Sequence, residues 1–313
     1  MRNSSANTKS EILCGDAWDL IQSVDDKSVN LVLTSPPYNI GKSYEKGMFD
    51  SLDDYAAQMD ELIKEIAKKV SEDGSICWQV GNHIDKGAIY PLDILFFPIF
   101  RKYGFELRNR IIWTFNFGLH AKKRFSGRYE SILWFSKSSK YKFNLDEVRV
   151  PQLYPGKRHA NGKEGKAGQP SGNPLGKNPA DFWQFDPSVA FDGLAVWEFP
   201  NVKASHPENS LHPCQFPNEL ADRCILALTD EGDRVLDPFS GVGTTVVCAD
   251  LRGRIGLGFE LDEEYHKLSL DRLDRGRKGE LPLRPSGKPT SRPNLRDKVA
   301  IRPSEWGLPV RQK

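Results

Sequence analysis

Two stretches of the chain bring together residue types that could do chemistry. The first is Leu31-Val32-Leu33-Thr34-Ser35-Pro36-Pro37-Tyr38. Three apolar residues ahead of a polar-Pro-Pro-aromatic turn read as a buried strand whose carboxyl edge ends in a stiff loop. The prolines fix φ and remove two N–H donors, so the carbonyls there are held in place and free to accept. Tyr38 adds a flat aromatic face beside them. These parts suit the exocyclic amino group of a nucleobase: its two hydrogens would bond the Ser35 side chain and the Pro36 carbonyl while the ring stacks on Tyr38. By itself, a Ser-Pro-Pro-Tyr segment is an ordinary loop more often than a site.

The second stretch is Asp237-Pro238-Phe239-Ser240-Gly241-Val242-Gly243-Thr244-Thr245. A strand over 234–237 leads into this glycine turn, a helix follows over 246–251, and a second strand over 254–260 closes on Glu260. Strand, glycine turn, helix, strand and an acid about 20 residues on is the layout of a dinucleotide-type site, with the acid on ribose hydroxyls. Gly241 and Gly243 allow close backbone approach. Val246 stands where GxGxxG has its third glycine, which weighs against a nicotinamide dinucleotide. Asp237 at the strand end suits an amino-bearing ligand better than two phosphates. The pattern therefore favours S-adenosylmethionine, its ammonium near Asp237 and its ribose on Glu260.

The remaining chain supplies elements to hold these stretches, and the alternation of strands and helices predicts an α/β fold. A short strand over 11–14 ends in Gly15-Asp16, where Asp16 either meets a ligand or caps the helix over 17–23. A helix over 51–70 is expected from the spacing of Leu52, Tyr55, Met59, Leu62, Ile63 and Ile66, ended by Asp73-Gly74, with a strand over 75–80. Residues 92–103 read as helix kinked or broken by Pro98. Residues 106–115 and 129–135 read as neighbouring, antiparallel strands. Asn39-Ile40-Gly41-Lys42-Ser43-Tyr44 has the look of a basic lid. From 137 to 195 Pro, Gly, Lys and Asn dominate, with aromatics among cations such as Lys157, Arg158 and Lys177, a composition that fits phosphate contact and base stacking. Order resumes at 196–200, and a helix is expected over 218–228. Beyond about residue 275 the Pro- and Arg-rich chain reads as mostly disordered.

Charged residues make up 27% and hydrophobic ones 38% of the 313, an ordinary globular composition. A net charge of +2 identifies no polyanion partner by itself, so basic residues would have to act locally. Five cysteines form no CxxC pair and leave an odd thiol in any disulfide scheme, so a reduced, cytoplasmic protein without a metal site is expected. No apolar signal core follows Met1 and no run reaches membrane-spanning length.

Together these pieces resemble the amino-group DNA methyltransferases, bacterial modification enzymes acting on N4 of cytosine or N6 of adenine. Their (D/N/S)PP(Y/F/W) target-base motif is matched by Ser35, Pro36, Pro37 and Tyr38. Their D-x-F-x-G-x-G cofactor turn is matched by Asp237, Phe239, Gly241, Gly243 and the adjoining Thr244, and their ribose acid by Glu260. The motif beside the methionine end of the cofactor is similar to His212-Pro213-Cys214-Gln215-Phe216-Pro217, which puts His212, Phe216 and Pro217 in the site. Asp16 matches a position next to the cofactor adenine. The order of motifs, base site before cofactor site, is similar to the permuted β group.

The resemblance implies a Rossmann-like methyltransferase fold: a mostly parallel central sheet with an antiparallel strand, plus a basic DNA-recognition insert. It divides the chain into a catalytic half over 1–136, a target-recognition insert over 137–195, a cofactor half over 196–275 and a basic tail over 276–313. It further implies double-stranded DNA as partner, with Lys42, Lys157, Arg158 and Lys177 as DNA contacts, and leaves room for a cognate restriction endonuclease and for a homodimer. Ser at position 35 goes more often with cytosine N4 than with adenine N6 in the family. Pro213-Cys214-Gln215 mimics the nucleophile of cytosine-C5 enzymes, but it precedes the cofactor turn instead of following it. A nicotinamide oxidoreductase would use the glycine turn and leave Ser35 to Tyr38 without a role.

Overall fold

A computed structural model of the chain describes residues 9–38, 49–115, 121–152, 154–160, 165–183, 202, 206–208, 210 and 215–284. An eight-stranded sheet runs through it, built from β1 (Glu11–Cys14), β2 (Val29–Thr34), β3 (Val70–Val80), β6 (Glu106–Thr114), β7 (Tyr129–Ser136), β8 (Phe182–Trp183), β9 (Arg234–Asp237) and β10 (Ile255–Glu260). The strand order is β1-β10-β9-β2-β3-β7-β6-β8. Only β7 runs against the others, antiparallel to both β3 and β6. A separate hairpin, β4 (Asn82–Asp85) and β5 (Ala88–Pro91), follows β3.

Helices cover both faces because the strands alternate their apolar residues with period two. On β2, Val32 faces a core made with α2 (Leu52–Lys69) and α3 (Leu92–Lys102), where Tyr55, Met59, Ile63, Phe96 and Phe100 are buried. Leu31 and Leu33, one position to either side, face the opposite core with Leu220 and Cys224 of α5 (Asn218–Leu228). On β3, Trp78 goes to the first core and Cys77 to the second. The terminal helix α7 (Glu263–Arg277) lays Leu273 on Ile12, Val246 and Val247, the last two from α6 (Thr244–Leu251).

Several expectations met a different outcome. The helix over 51–70 begins as read, with Ser51 accepting from the Asp54 N–H at 3.0 Å. Although Val70 already pairs with Val29 and so opens the next strand earlier than residue 75, the helix ends about where it was read, at Lys69. Lys137 caps its exit by donating to the carbonyls of Ala67 and Val70, both at 3.0 Å. Asp73-Gly74 therefore lies in an irregular bulge of β3, where a side chain at Gly74 would sit 2.7 Å from Val70. Pro98 does not break α3, which runs through from Leu92–Lys102. Its ring is on the solvent side, so the carbonyl it deprives of a donor can turn to water.

The stretch after 136 is more ordered than its composition suggests. Short α4 (Leu145–Val148) and Trp183 of β8 bury Val148 and Trp183 in the second core. Past 275 the chain stays docked as far as 284: Arg284 forms a buried ion pair with Glu219 at 2.7 Å. Residues 39–44, 184–200 and 285–313, for which a lid, renewed order and a disordered tail are read from the sequence, lie outside the described residues.

Candidate active site at the carboxyl edge of β2 and β9

The sheet changes direction of winding between β2 and β9. From β2 the chain crosses through α2 on one face to β3. From β9 it crosses through α6 on the other face to β10. Ligands of open α/β sheets bind at such a switch point, outside the carboxyl ends of the strands. The loops that leave β2 and β9 there are Ser35-Pro36-Pro37-Tyr38 and the glycine turn.

A buried hydrogen bond ties the two loops at their root: Thr34 Oγ1 donates to Asp237 Oδ1 at 2.6 Å. The same oxygen accepts the Phe239 N–H at 3.1 Å. Asp237 is buried among apolar neighbours, and desolvation pushes its carboxyl up to about 6 against these hydrogen bonds. Thr245 adds a second tie, its hydroxyl donating to the Leu33 carbonyl at 3.2 Å. Asp237 thus faces inward as the joint between the strands.

On the β2 side, the Pro37 carbonyl is held by the Tyr55 hydroxyl at 2.8 Å. Ser35 Oγ and the Tyr38 hydroxyl are 3.0 Å apart. Tyr38 donates to Glu130 Oε2 at 3.4 Å, and Gln79 Nε2 donates to the same oxygen at 2.7 Å. Because the Tyr38 proton goes to Glu130, the Ser35 proton is free to go to Tyr38. The lone pairs of Ser35 then face the pocket as acceptors, and the chain to the carboxylate polarises them. Gly81 permits this arrangement, since a Cβ there would lie 3.1 Å from the Tyr38 ring.

On the β9 side, the turn is made by backbone. Gly241 and Gly243 have φ of 53° and 77°, in the left-handed region that favours glycine. A Cβ on Gly243 would also come within 2.9 Å of Ile12 and 3.0 Å of Ser269. The Gly241 N–H donates to Glu260 Oε2 at 2.7 Å, and the Asp262 N–H donates to Glu260 Oε1 at 2.9 Å. Burial raises the Glu260 carboxyl to about 7 in spite of both donors. Asp16 sits beside it, since Gly15 N–H bonds the Glu260 carbonyl at 2.8 Å. The Asp16 side chain caps α1 (Ala17–Leu20) by accepting from the Trp18 N–H at 2.8 Å. Trp18 in turn meets Phe239 edge-on, with ring centroids 5.9 Å apart.

The remaining site candidates are more dispersed. Pro217 caps α5 and Phe216 is buried in the second core. Thr244 is buried, and its hydroxyl accepts from Arg272 of α7 at 3.2 Å. Lys157 and Arg158 are exposed on a turn in which the Arg158 guanidinium bonds the Gly168 carbonyl at 2.6 Å. Lys177 exchanges backbone hydrogen bonds with Val150, at 2.9 and 3.1 Å. Lys42, His212 and the Pro213-Cys214 pair lie outside the described residues. Among the described residues there is no cluster of His, Cys, Asp or Glu able to hold a metal ion, and no helix long and apolar enough to cross a membrane.

Three contributors escaped the sequence reading. Glu130 and Gln79 are remote from the Ser-Pro-Pro-Tyr loop in sequence, and only the antiparallel pairing of β7 on β3, with Gln79 opposite Ile132, brings them beside Tyr38. Trp18 carries no motif. Glu130, a carboxylate near the start of β7 ahead of the apolar run from Ile132, carries no motif in the sequence.

Comparison with known proteins matches this architecture to one class. The family model for DNA methylases of the N6/N4 type matches residues 29–271, and the chain belongs to that family. It is 44% identical over 256 residues to the type II methyltransferase M.BglII of Bacillus subtilis, a match covering 82% of this chain and 66% of that protein. It is 33% identical over 273 residues to the DNA adenine methyltransferase YhdJ of Escherichia coli K12, covering 86% and 84% of the two chains. The crystal structure of a DNA modification methylase of Thermus thermophilus, complexed with S-adenosyl-L-methionine, superposes with a TM-score of 0.56 at 26% identity, over 85% of this chain and 94% of that one.

Proposed function

We propose that the protein transfers a methyl group from S-adenosylmethionine to the exocyclic amino nitrogen of a base flipped out of double-stranded DNA, and that the base is cytosine, modified at N4. The observation that carries this reading is the joint Thr34–Asp237. It joins the Ser-Pro-Pro-Tyr loop, proposed to accept the amino group, to the glycine turn, proposed to hold the cofactor. The cofactor fits the residues present. Glu260 is a half-buried carboxyl whose two oxygens are aimed by backbone donors and which makes no ion pair among the described residues, a suitable acceptor for ribose hydroxyls. Gly241 and Gly243 give the turn the left-handed backbone that brings its N–H groups to this edge. Asp16, His212, Phe216, Pro217, Phe239 and Thr244 complete the proposed cofactor site. When bound, S-adenosylmethionine supplies an electrophilic methyl group on sulfonium.

This chain's residues then have to make an amide-like nitrogen nucleophilic. Its lone pair is delocalised into the ring. An acceptor at each N–H, Ser35 Oγ and the Pro36 carbonyl, favours a pyramidal nitrogen with its lone pair directed at the methyl group. The Glu130–Tyr38–Ser35 chain strengthens the Ser35 acceptor as positive charge develops on nitrogen. Attack would be in line, the N–C bond forming as the sulfonium S–C bond breaks to leave S-adenosylhomocysteine, with the proton from the nitrogen passing to solvent; it would need no covalent enzyme intermediate, so Cys214 would have no part in it. Flipping delivers the base to the pocket. Lys42, Lys157, Arg158 and Lys177 are proposed DNA contacts, the segment 137–195 the sequence reader, and a restriction endonuclease of the same site a partner.

The test incubates the protein with unmethylated genomic DNA and labelled S-adenosylmethionine, then identifies the labelled nucleoside by mass spectrometry. N4-methylcytosine is expected. N6-methyladenine would keep the pocket and overturn the inference from Ser35, and 5-methylcytosine would make Cys214 the nucleophile and remove the mechanism.

A further inference from the structure

The β6–β7 loop rises from the same sheet edge as the Ser-Pro-Pro-Tyr loop, because β6 runs parallel to β2 and β7 returns beside β3. Its base is closed by the Phe115 N–H donating to the Arg128 carbonyl at 3.0 Å. Two residues further on stands Glu130, whose carboxylate reaches Tyr38. The outer part reads Ala121-Lys122-Lys123-Arg124-Phe125-Ser126-Gly127-Arg128. Ser126 Oγ accepts the Ala121 N–H at 3.2 Å, which folds the segment into a tight turn. At its tip Phe125 is 99% exposed, more than any other large hydrophobic side chain described. Lys122, Lys123 and Arg124 beside it are exposed, and none makes an ion pair among the described residues.

A fully exposed phenyl ring gains nothing for folding, and three adjacent cations repel one another. Both features become favourable against a duplex: the cations on phosphates, the ring against base faces opened by a displaced nucleotide. We infer that the 121–128 turn is a DNA-engaging element and that Phe125 wedges into the stack where the target base has left, holding the flipped state while the base occupies the Ser35–Tyr38 pocket. This rests on the proposed DNA amino-methylation and adds the element that makes flipping favourable.

The experiment compares Phe125→Ala and Phe125→Leu with wild type under single-turnover conditions, after the methylated sites in genomic DNA have supplied the recognition sequence. Two duplexes are used, one fully paired and one with an abasic site opposite the target base, so that the base is already loosened. Phe125→Ala is expected to slow transfer to the paired duplex by about tenfold or more, since unstacking costs a few kcal/mol. It should act within about twofold of wild type on the abasic duplex. Phe125→Leu, which still fills the gap, should restore most of the rate on the paired duplex. An equal loss on both duplexes, or no loss on either, overturns the wedge while leaving the methyltransferase reading intact. Wild-type protein that labels no DNA overturns both.

Discussion

The two loops that meet at the switch point are built by opposite means. The β2 loop is stiffened by Pro36 and Pro37 and presents side chains, Ser35 and Tyr38, that are only partly buried and are oriented by Glu130 and Gln79. The β9 turn is made of glycine and backbone N–H groups, and its carboxylates, Asp237 and Glu260, are buried far enough to be raised to about 6 and about 7. In the first loop the Ser35 hydroxyl stands outside both cores, although Pro36 and Pro37 are buried. The second is part of the sheet's own packing, since Gly243 lies against Ile12 and Ser269, and Gly258 against Ser240 and Val246. Lesions on the β2 side should therefore separate chemistry from folding, and lesions on the β9 side should not.

The largest expected effect tests the second half of that contrast. Gly243→Ala must place a side chain at φ 77° and within 3.0 Å of two neighbours, and a loss of about 3 kcal/mol of stability is expected, read as a lowered denaturation midpoint. A midpoint equal to wild type would show that the turn is not packed as described. Next, Ser35→Ala should lower kcat by about 100-fold with unchanged S-adenosylmethionine Kd and unchanged denaturation midpoint. Coupled loss of cofactor binding would dissolve the distinction between the loops. Glu130→Gln follows with about tenfold in kcat, because a neutral acceptor polarises the Tyr38–Ser35 chain less. If the chain has no role, the variant will match wild type.

Much of this contrast was legible in the sequence because both loops follow strands with local signatures. The strand 234–237, the helix 218–228 and the acid at 260 fall where the pattern put them. The strands read over 106–115 and 129–135 do pair antiparallel, but the alternation did not say which of them runs against the sheet; among the described strands it is β7. The start of β3 was misplaced because Asp73-Gly74 is a turn signal in isolation. Here Val70 is claimed by Val29 and the glycine serves a bulge instead. Tertiary pairing overrode local chemistry. Glu130 and Gln79 were invisible for a related reason, since their role exists only once β3, β7 and the β2 loop are side by side. Asp237, expected near the ammonium group of the cofactor, also takes the Thr34 hydroxyl and the Phe239 N–H at the joint between strands, a role that no spacing rule announces.

The smallest effect concerns protons and bears on Glu260. A carboxyl raised by burial to about 7 titrates in the neutral range. The sign follows from linkage. The folded value lies above the ordinary carboxylate value, so Glu260 contributes stability that is complete below about pH 4 and is lost as pH rises through about 7. Ribose hydroxyls donating to the carboxylate favour its ionised form, lower its pKa and release a fraction of a proton on binding. Adenosine carries the ribose without the ammonium group of the full cofactor, so its binding isolates this group. Its affinity should rise a few-fold between about pH 6 and about pH 8. Glu260→Gln should bind more weakly and lose the pH dependence, and calorimetry in buffers of different ionisation enthalpy should detect proton release only with wild type. Equal release from both proteins would move the titration to another group. The raised carboxyl would then reflect packing of the β9 turn alone, which narrows the difference between the two loops to geometry.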